Sequence, residues 1–218
     1  MSGLRPEGGI SRLSSADTVE HFGADSTSAW VQALFVLCNT DPPSKCAAIT
    51  LAIDTPLGFS DAFLNLATGL KAASALGESN TNPYLFRATE LTLFRRGLSP
   101  LSAIKDMIGS QATKGMHVLA RFAPHHPSCG VWTDRAGLTA LEAYPSACKD
   151  SPTIQDLRHR FPALDHVDKE DALTCALVAH LFATNRQALV EPGAEISERE
   201  GWIWVPRDAF SPELLENS

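Results

Sequence analysis

The stretch that most constrains the fold is residues 165–184, DHVDKEDALTCALVAHLFAT. It opens with four acidic residues and continues as an apolar run that only Thr174 and His180 interrupt. A helix that is apolar on almost every face is a buried helix, so we expect this segment to lie inside the molecule. Carboxylates in the first turn suit the positive end of the helix dipole, and Asp165 occupies the expected N-cap position.

Asp171 needs a further explanation, because it lies deeper in this helix. It follows Asp168 by three residues and precedes Cys175 by four, so the three side chains share one face, which enters the apolar run. A carboxylate carried into a core needs a cation, a metal ion or a proton. Asp171 is therefore a candidate functional residue, and the alternative is a capping or ion-pair role.

The rest of the sequence favours an α/β architecture with a mostly parallel sheet, because strands alternate with helices. The other predicted helices span residues 26–38, 60–75, 84–96, 99–108 and 154–161. The predicted strands span residues 46–54 and 138–144, and residues 196–205 predict a hairpin around Glu200-Gly201. Residues 115–122 fit a strand or the end of a helix, and residues 123–130 predict a loop.

Composition limits the class of protein. The chain has 218 residues, of which 44% are apolar and 20% charged, as in an ordinary globular protein. We therefore expect a single domain over residues 1–218. The net charge of −7 disfavours non-specific attraction to a nucleic-acid backbone unless metals or a local basic patch assist. Five irregularly spaced cysteines and an N-terminus without an apolar signal core predict a cytoplasmic protein, and no apolar run is long enough to span a membrane.

Two further carboxylates occupy positions that structure alone does not favour. Asp54 ends an apolar strand, and ligands of open α/β sheets gather at the carboxyl ends of strands. The alternative for Asp54 is a local turn into Thr55-Pro56. Glu142 lies within the predicted strand LTALEAY, although glutamate is depleted in strands and rarely buried unless paired.

Glu142 also has a structural alternative, an ion pair with an arginine such as Arg87 or Arg121. Arg87 stands three residues before Glu90, which favours a surface pair, whereas the functional interpretation presents Arg87 to a phosphate. Together with Asp54 and Asp171, Glu142 would complete a set of hard oxygen ligands that suits Mg²⁺ or Mn²⁺.

Five segments resemble, in the same order, the domain-of-unknown-function family numbered 429, described as predicted RNase H-like nucleases. They are AIDTPLG at 52–58, RATE at 87–90, LEAYP at 141–145, DALTCALVAH at 171–180 and EGWIWVP at 200–206. The resemblance covers about residues 45–206 and implies an RNase H-like fold, a mixed five-stranded sheet flanked by helices. It also implies acidic site positions at Asp54, Glu142 and Asp171.

The beginning of the chain departs from this family, whose first strand carries an aspartate in a motif that reads like G-x-D-G. Residues 1–12 contain no Asp, so we expect the first strand hairpin to be missing. Loss of that aspartate would weaken a two-metal reaction. An uncovered sheet edge would also favour self-association or a strand supplied by a partner.

The resemblance and the residues together lead to two hypotheses. In the first, the protein is a metal-dependent nuclease or phosphodiesterase, in which Asp54, Glu142 and Asp171 hold one or two Mg²⁺ or Mn²⁺ ions and Arg87 steadies a phosphate. In the second, it is a non-catalytic RNase H-like protein that binds a nucleotide or a protein partner. Both require strands 46–54 and 138–144 to be neighbouring central strands, buried on both faces.

Overall fold

A computed structural model describes residues 26–42 and 47–210, and predictions for other residues lie outside this range. The helices are α1 (Thr27–Leu37), α2 (Asp61–Gly69), α3 (Ala88–Arg95), α4 (Gly109–Phe122), α5 (Pro145–Cys148), α6 (Pro152–Arg158) and α7 (Val167–Thr184). The strands are β1 (Ile49–Ile53), β2 (His125–Ser128), β3 (Val131–Thr133), β4 (Leu138–Ala143) and β5 (Ile203–Trp204). Within the described residues, no helix is both long and apolar enough to cross a membrane.

The five strands form one mixed sheet, with β4 in the middle. On one side β4 runs parallel to β1, in a register that pairs Ile49 with Leu138 and Ile53 with Glu142. On its other side, β4 is antiparallel to β3 and parallel to β5, and β2 continues the sheet beyond β3. The α/β class and the pairing of the two predicted strands are confirmed.

The expectation that both strands are central holds for β4 alone. Five of the six residues of β4 are buried, whereas every residue of β1 is partly exposed. Within the described part of the chain, β1 pairs only with β4, so its outer edge carries no neighbouring strand. The predicted two-sided burial of β1 is therefore wrong for these residues.

Helices cover both faces of the sheet. On one face, α7 packs with α5, α6 and the tryptophans Trp202 and Trp204. Leu177 and Val178 of α7 are fully buried, which confirms the predicted buried helix. On the other face, α1 packs on α4, and the rings of Trp30 and Phe122 stack 4.6 Å apart. The sheet thus lies between two hydrophobic layers.

The start of α7 differs from the prediction. His166 is the N-cap, because its ring nitrogen accepts a hydrogen bond from the backbone N–H of Asp168 at 3.1 Å. Asp165 instead forms an ion pair with Lys169, with 2.6 Å between the carboxylate oxygen and the amine. The carboxylate of Asp165 is therefore accounted for by a local ion pair rather than by capping.

Three segments were predicted with the wrong structure. Residues 99–108 form turns, because Ser102 donates its hydroxyl to the Leu85 carbonyl and its backbone N–H to Asp106. Residues 123–130 contain β2 rather than only a loop. Residues 196–205 form a short 3₁₀ turn, Glu198–Glu200, followed by β5, which pairs with β4 instead of folding back as a hairpin.

Candidate carboxylate site beside the first strand

The three predicted acidic residues all lie near the end of β1, but they do not form one group of metal ligands. Asp54 follows Ile53, whose register partner on β4 is Glu142, and α7 presents Asp171 to the same place. Asp54 is exposed on one side, yet its pKa is raised from 3.8 to about 6. Partial burial is the largest cause, and the negative charges of Asp171 and then Glu142 add to it. Asp54 therefore sits in a field that favours a proton or another cation.

A cavity of about 730 Å³ opens along the outer edge of β1. Its lining is mostly apolar and comes from β1, α1, α4 and α7. Among the described residues, its wall contains three aspartates, Asp54, Asp168 and Asp171, and one cationic side chain, Lys114. The cavity is thus an apolar groove with an excess of negative charge.

Glu142 is adjacent to this groove but does not line it. The residue is 2% exposed, and Arg87 donates from Nη2 to Oε1 at 2.7 Å and from Nη1 to Oε2 at 2.8 Å. The backbone N–H of Leu57 donates to the same carboxylate at 2.9 Å. Glu142 is therefore held in the structural ion pair that the sequence left open, and it also anchors the loop that follows Asp54.

Arg87 reaches a second carboxylate on its own helix. Its Nε donates to Glu90 Oε1 at 2.9 Å, and its backbone N–H donates to Glu90 Oε2 at 2.7 Å. Arg87 is 2% exposed and Glu90 is 1% exposed, so the predicted pair exists but is buried rather than on the surface. Burial raises the pKa of Glu90 although the charge of Arg87 opposes it. Burial also lowers the pKa of Arg87, but the charges of Glu142 and Glu90 outweigh it, so the net shift is upward.

The sequence did not reveal the role of Glu200, which was assigned only to a turn. Its carboxylate accepts the backbone N–H of Asp61 at 2.8 Å and that of Ala88 at 2.6 Å, at the starts of α2 and α3. A carboxylate at two helix N-termini is stabilised by both dipoles. The backbone carbonyl of Glu200 lies so close to Gly58 that a Cβ there would stand 2.4 Å from its oxygen. In the sequence, the only other sign of this residue is its place at the start of the segment EGWIWVP, which belongs to the family resemblance.

The groove also contains polar atoms that lack partners. Trp30 is 3% exposed and lines the groove, yet its Nε1–H has no hydrogen-bond acceptor among the described residues. The hydroxyl of Thr55, which lies next to Asp54 in the chain, is likewise buried without a partner there. Buried polar atoms are normally hydrogen-bonded, so these two need partners from outside the described residues.

The geometry of the acidic residues is that of an incomplete ligand set. Within residues 26–42 and 47–210, no three His, Cys, Asp or Glu side chains come together as a group that could hold a metal ion. Asp54 and Asp171 share the groove, whereas Glu142 is already paired with Arg87.

Comparisons with protein-family models, curated proteins and solved structures found no match to this chain. The RNase H-like resemblance stays a prediction.

Proposed function

We propose that the protein is a metal-dependent phosphodiesterase, an RNase H-like nuclease that uses the carboxyl end of β1. The observation that carries this proposal is the electrostatic state of Asp54. Partial burial, and then the neighbouring charges of Asp171 and Glu142, raise its pKa to about 6. Perturbed carboxylates in a groove are characteristic of functional sites. A cation between Asp54 and Asp171 would relieve this repulsion.

The residues present fit a divalent ion in part. Asp54 and Asp171 offer hard oxygen atoms of the type that Mg²⁺ and Mn²⁺ prefer, and both line the groove. A bound ion would activate water and stabilise the departing oxygen of a phosphodiester. Glu142 supplies the adjacent negative charge and fixes the loop through Leu57 N–H. Arg87, which was expected to contact a phosphate, instead orients Glu142.

The substrate class follows from the same charges. The described part of the chain gives the groove more carboxylates than cations, so a phosphate group of a nucleic acid or nucleotide would enter only with a neutralising metal ion. Metal ions bind the deprotonated carboxylate, and they therefore compete with the proton on Asp54. Activity should rise as the pH rises through about 6, the pKa of Asp54. The free thiols Cys38, Cys129, Cys148 and Cys175 support a cytoplasmic setting.

Hydrolysis of bis(p-nitrophenyl) phosphate and of single-stranded DNA and RNA, with Mg²⁺, with Mn²⁺ and with chelator, tests the proposal. We expect metal-dependent cleavage that both Asp54→Asn and Asp171→Asn abolish. Asp156→Asn, at an exposed position on α6, is the matched control and should keep the activity. Cleavage that survives both groove substitutions would contradict the proposed site, and so would no cleavage of any of the three substrates.

The second candidate is a non-catalytic protein that keeps the fold and binds a nucleotide or a protein partner. The Arg87–Glu142 pair favours it, because a carboxylate neutralised by an arginine is a weaker metal ligand. Binding of a nucleotide or protein without turnover, and without any effect of metal ions, would support this alternative.

A further inference from the structure

The outer edge of β1 presents unused backbone groups to the groove. The N–H of Ile49 donates to the carbonyl of Gly137 at 2.8 Å, toward β4. Backbone groups alternate in direction along a strand, so Leu51 and Ile53 also face β4, while Thr50 and Ala52 face outward. No strand among the described residues pairs with that outer side. Thr50 and Ala52 both line the groove.

The walls of the groove leave room for an extended chain. On one wall α7 contributes small side chains, among them Ala172, Ala176 and Ala179. On the other wall stand Trp30 and Lys114, from α1 and α4. The Nε1–H of Trp30 requires an acceptor. A peptide backbone supplies carbonyl acceptors for this donor and for the outward N–H groups of β1, and N–H donors for the outward carbonyls.

Charge distinguishes the two ends of the groove. Asp54 follows the last residue of β1, and Asp171 of α7 lines the same groove. The end of the groove nearest the carboxyl end of β1 is therefore acidic, whereas the strand beside it offers Leu51, Ala52 and Ile53. An occupant that complements both parts has apolar side chains along its length and a cationic side chain at one end.

We propose that this groove receives an extended peptide segment of a partner protein, which adds a strand to β1. The segment pairs with Thr50 and Ala52, accepts a hydrogen bond from Trp30 Nε1, and places a lysine or arginine beside Asp54 and Asp171. Strand addition at an open edge is a known mode of peptide recognition, in which the main chain gives affinity and side-chain pockets give specificity. The inference goes beyond the proposed phosphodiesterase and does not depend on it, although the lysine or arginine would compete with a metal ion for Asp54 and Asp171.

A peptide fits this edge better than a second copy of the same protein. The edge lies in a groove between α7 on one side and α1 with α4 on the other. The β1 strand of a second copy would arrive with its own flanking helices, which would meet these walls before the two edges could pair. A single extended chain has no such flanks. The self-association expected from the sequence is therefore an outcome that the test must distinguish.

Nuclear magnetic resonance of the full chain tests the proposal with synthetic peptides. The probes are acetyl-Arg-Thr-Val-Thr-Val-Thr-amide, its counterpart with arginine at the other end, and a peptide in which glutamine replaces arginine. We expect one arginine peptide to bind about fivefold more tightly than the glutamine peptide, as an ion pair at a partly exposed site allows. Binding should slow hydrogen exchange at the amides of Thr50 and Ala52 and shift the indole N–H signal of Trp30. The amides of Leu51 and Ile53 should change little.

Two variants separate the proposed edge from other surfaces. Ala52→Pro removes an outward N–H without removing a bond to β4, so it should abolish peptide binding. Because proline can disturb a strand, Ala172→Trp provides a second block: it fills the groove from an exposed position on α7. Ala183→Trp, at an exposed position of α7 outside the groove, is the matched control and should bind the peptide normally.

Three kinds of result would overturn the inference. The first is that none of the peptides binds, or that Ala172→Trp binds as well as the unchanged protein. The second is that the Thr50 and Ala52 amides become protected without peptide as the protein concentration rises, which would assign the edge to a second copy. The third is that these amides are protected in the free protein at every concentration, which would assign the edge to a segment of the same chain.

Discussion

Substitution of Arg87 by methionine is the most severe test of the buried ion-pair cluster that Arg87 forms with Glu90 and Glu142. Arg87 donates side-chain hydrogen bonds to Glu90, to both oxygens of Glu142 and to the carbonyl of Glu200. Methionine leaves two carboxylates that are nearly unexposed without their cation. Breaking a buried pair by removing one partner costs about 3–5 kcal/mol. That loss is a large share of the about 5–15 kcal/mol that stabilises a typical domain.

Arg158→Met is the matched control, because Arg158 makes the same two-pronged contact with Glu170. Its Nε donates to Oε2 at 2.7 Å and its Nη2 to Oε1 at 2.6 Å. The side chains of this pair are 22% and 36% exposed, so water compensates for its loss and we expect about 1 kcal/mol or less. Urea unfolding followed by circular dichroism measures both values. Equal losses in the two variants would refute the claim that burial gives the Arg87 cluster its importance.

The destabilisation caused by Arg87→Met should also depend on pH. Removal of Arg87 takes away the charge that lowers the pKa of Glu90, whose pKa burial already raises. A raised folded-state pKa means that the folded protein binds the proton more tightly than the unfolded chain. The destabilisation of Arg87→Met should therefore shrink as the pH falls and grow as the pH rises. The free energy of unfolding is measured across the acidic pH range for the unchanged protein and for Arg87→Met. A difference between the two that stays constant with pH would contradict this reasoning.

Two further predictions concern the Asp54 carboxyl in the groove and the packing of Gly130 against Trp202. Carbon-detected titration should place the midpoint of the Asp54 carboxyl near its raised pKa of about 6, and Asp171→Asn should lower this pKa. The free energy of unfolding that Asp54 contributes is complete below pH 3.8 and is lost as the pH rises through about 6. Gly130→Ala should cost about 2 kcal/mol, because Gly130 has φ +69° and a Cβ would lie 2.4 Å from that of Trp202. Gly69→Ala, with nothing within 4 Å, should not destabilise the protein in the same thermal melt.

Regular apolar patterns predicted the framework of this fold well. The buried run of α7 and the apolar segment of β4 are local signals, and both elements form where they were expected. The pairing of β1 with β4 was expected from the RNase H-like resemblance, whereas the alternation of strands and helices predicted only the α/β class. The position of Asp54 at the carboxyl end of a strand marked the edge where the groove lies, and Asp171 lines the same groove from a helix.

Contacts between distant residues could not be obtained from local patterns. Glu142 and Arg87 are 55 positions apart, so the sequence offered the pair only as one alternative for Glu142, with Arg121 as another possible partner. Glu200 stabilises the starts of two helices that precede it by more than 100 positions, and no periodicity signals that role. The predicted hairpin failed because Ile203 pairs with Glu142 of β4, a distant strand, rather than with its own neighbour.

Thermal denaturation with and without Mn²⁺ tests the central claim, that Asp54 and Asp171 together hold a divalent cation. A ligand that binds only the folded state stabilises it, by about 2.7 kcal/mol at a hundredfold excess over its Kd. The account predicts that Mn²⁺ raises the Tm of the unchanged protein. It predicts no rise for Asp171→Asn, whose Tm without metal should match or exceed that of the unchanged protein because a repelling charge is gone. An unchanged protein that shows no response to Mn²⁺, or an Asp171→Asn variant that responds equally, would contradict it.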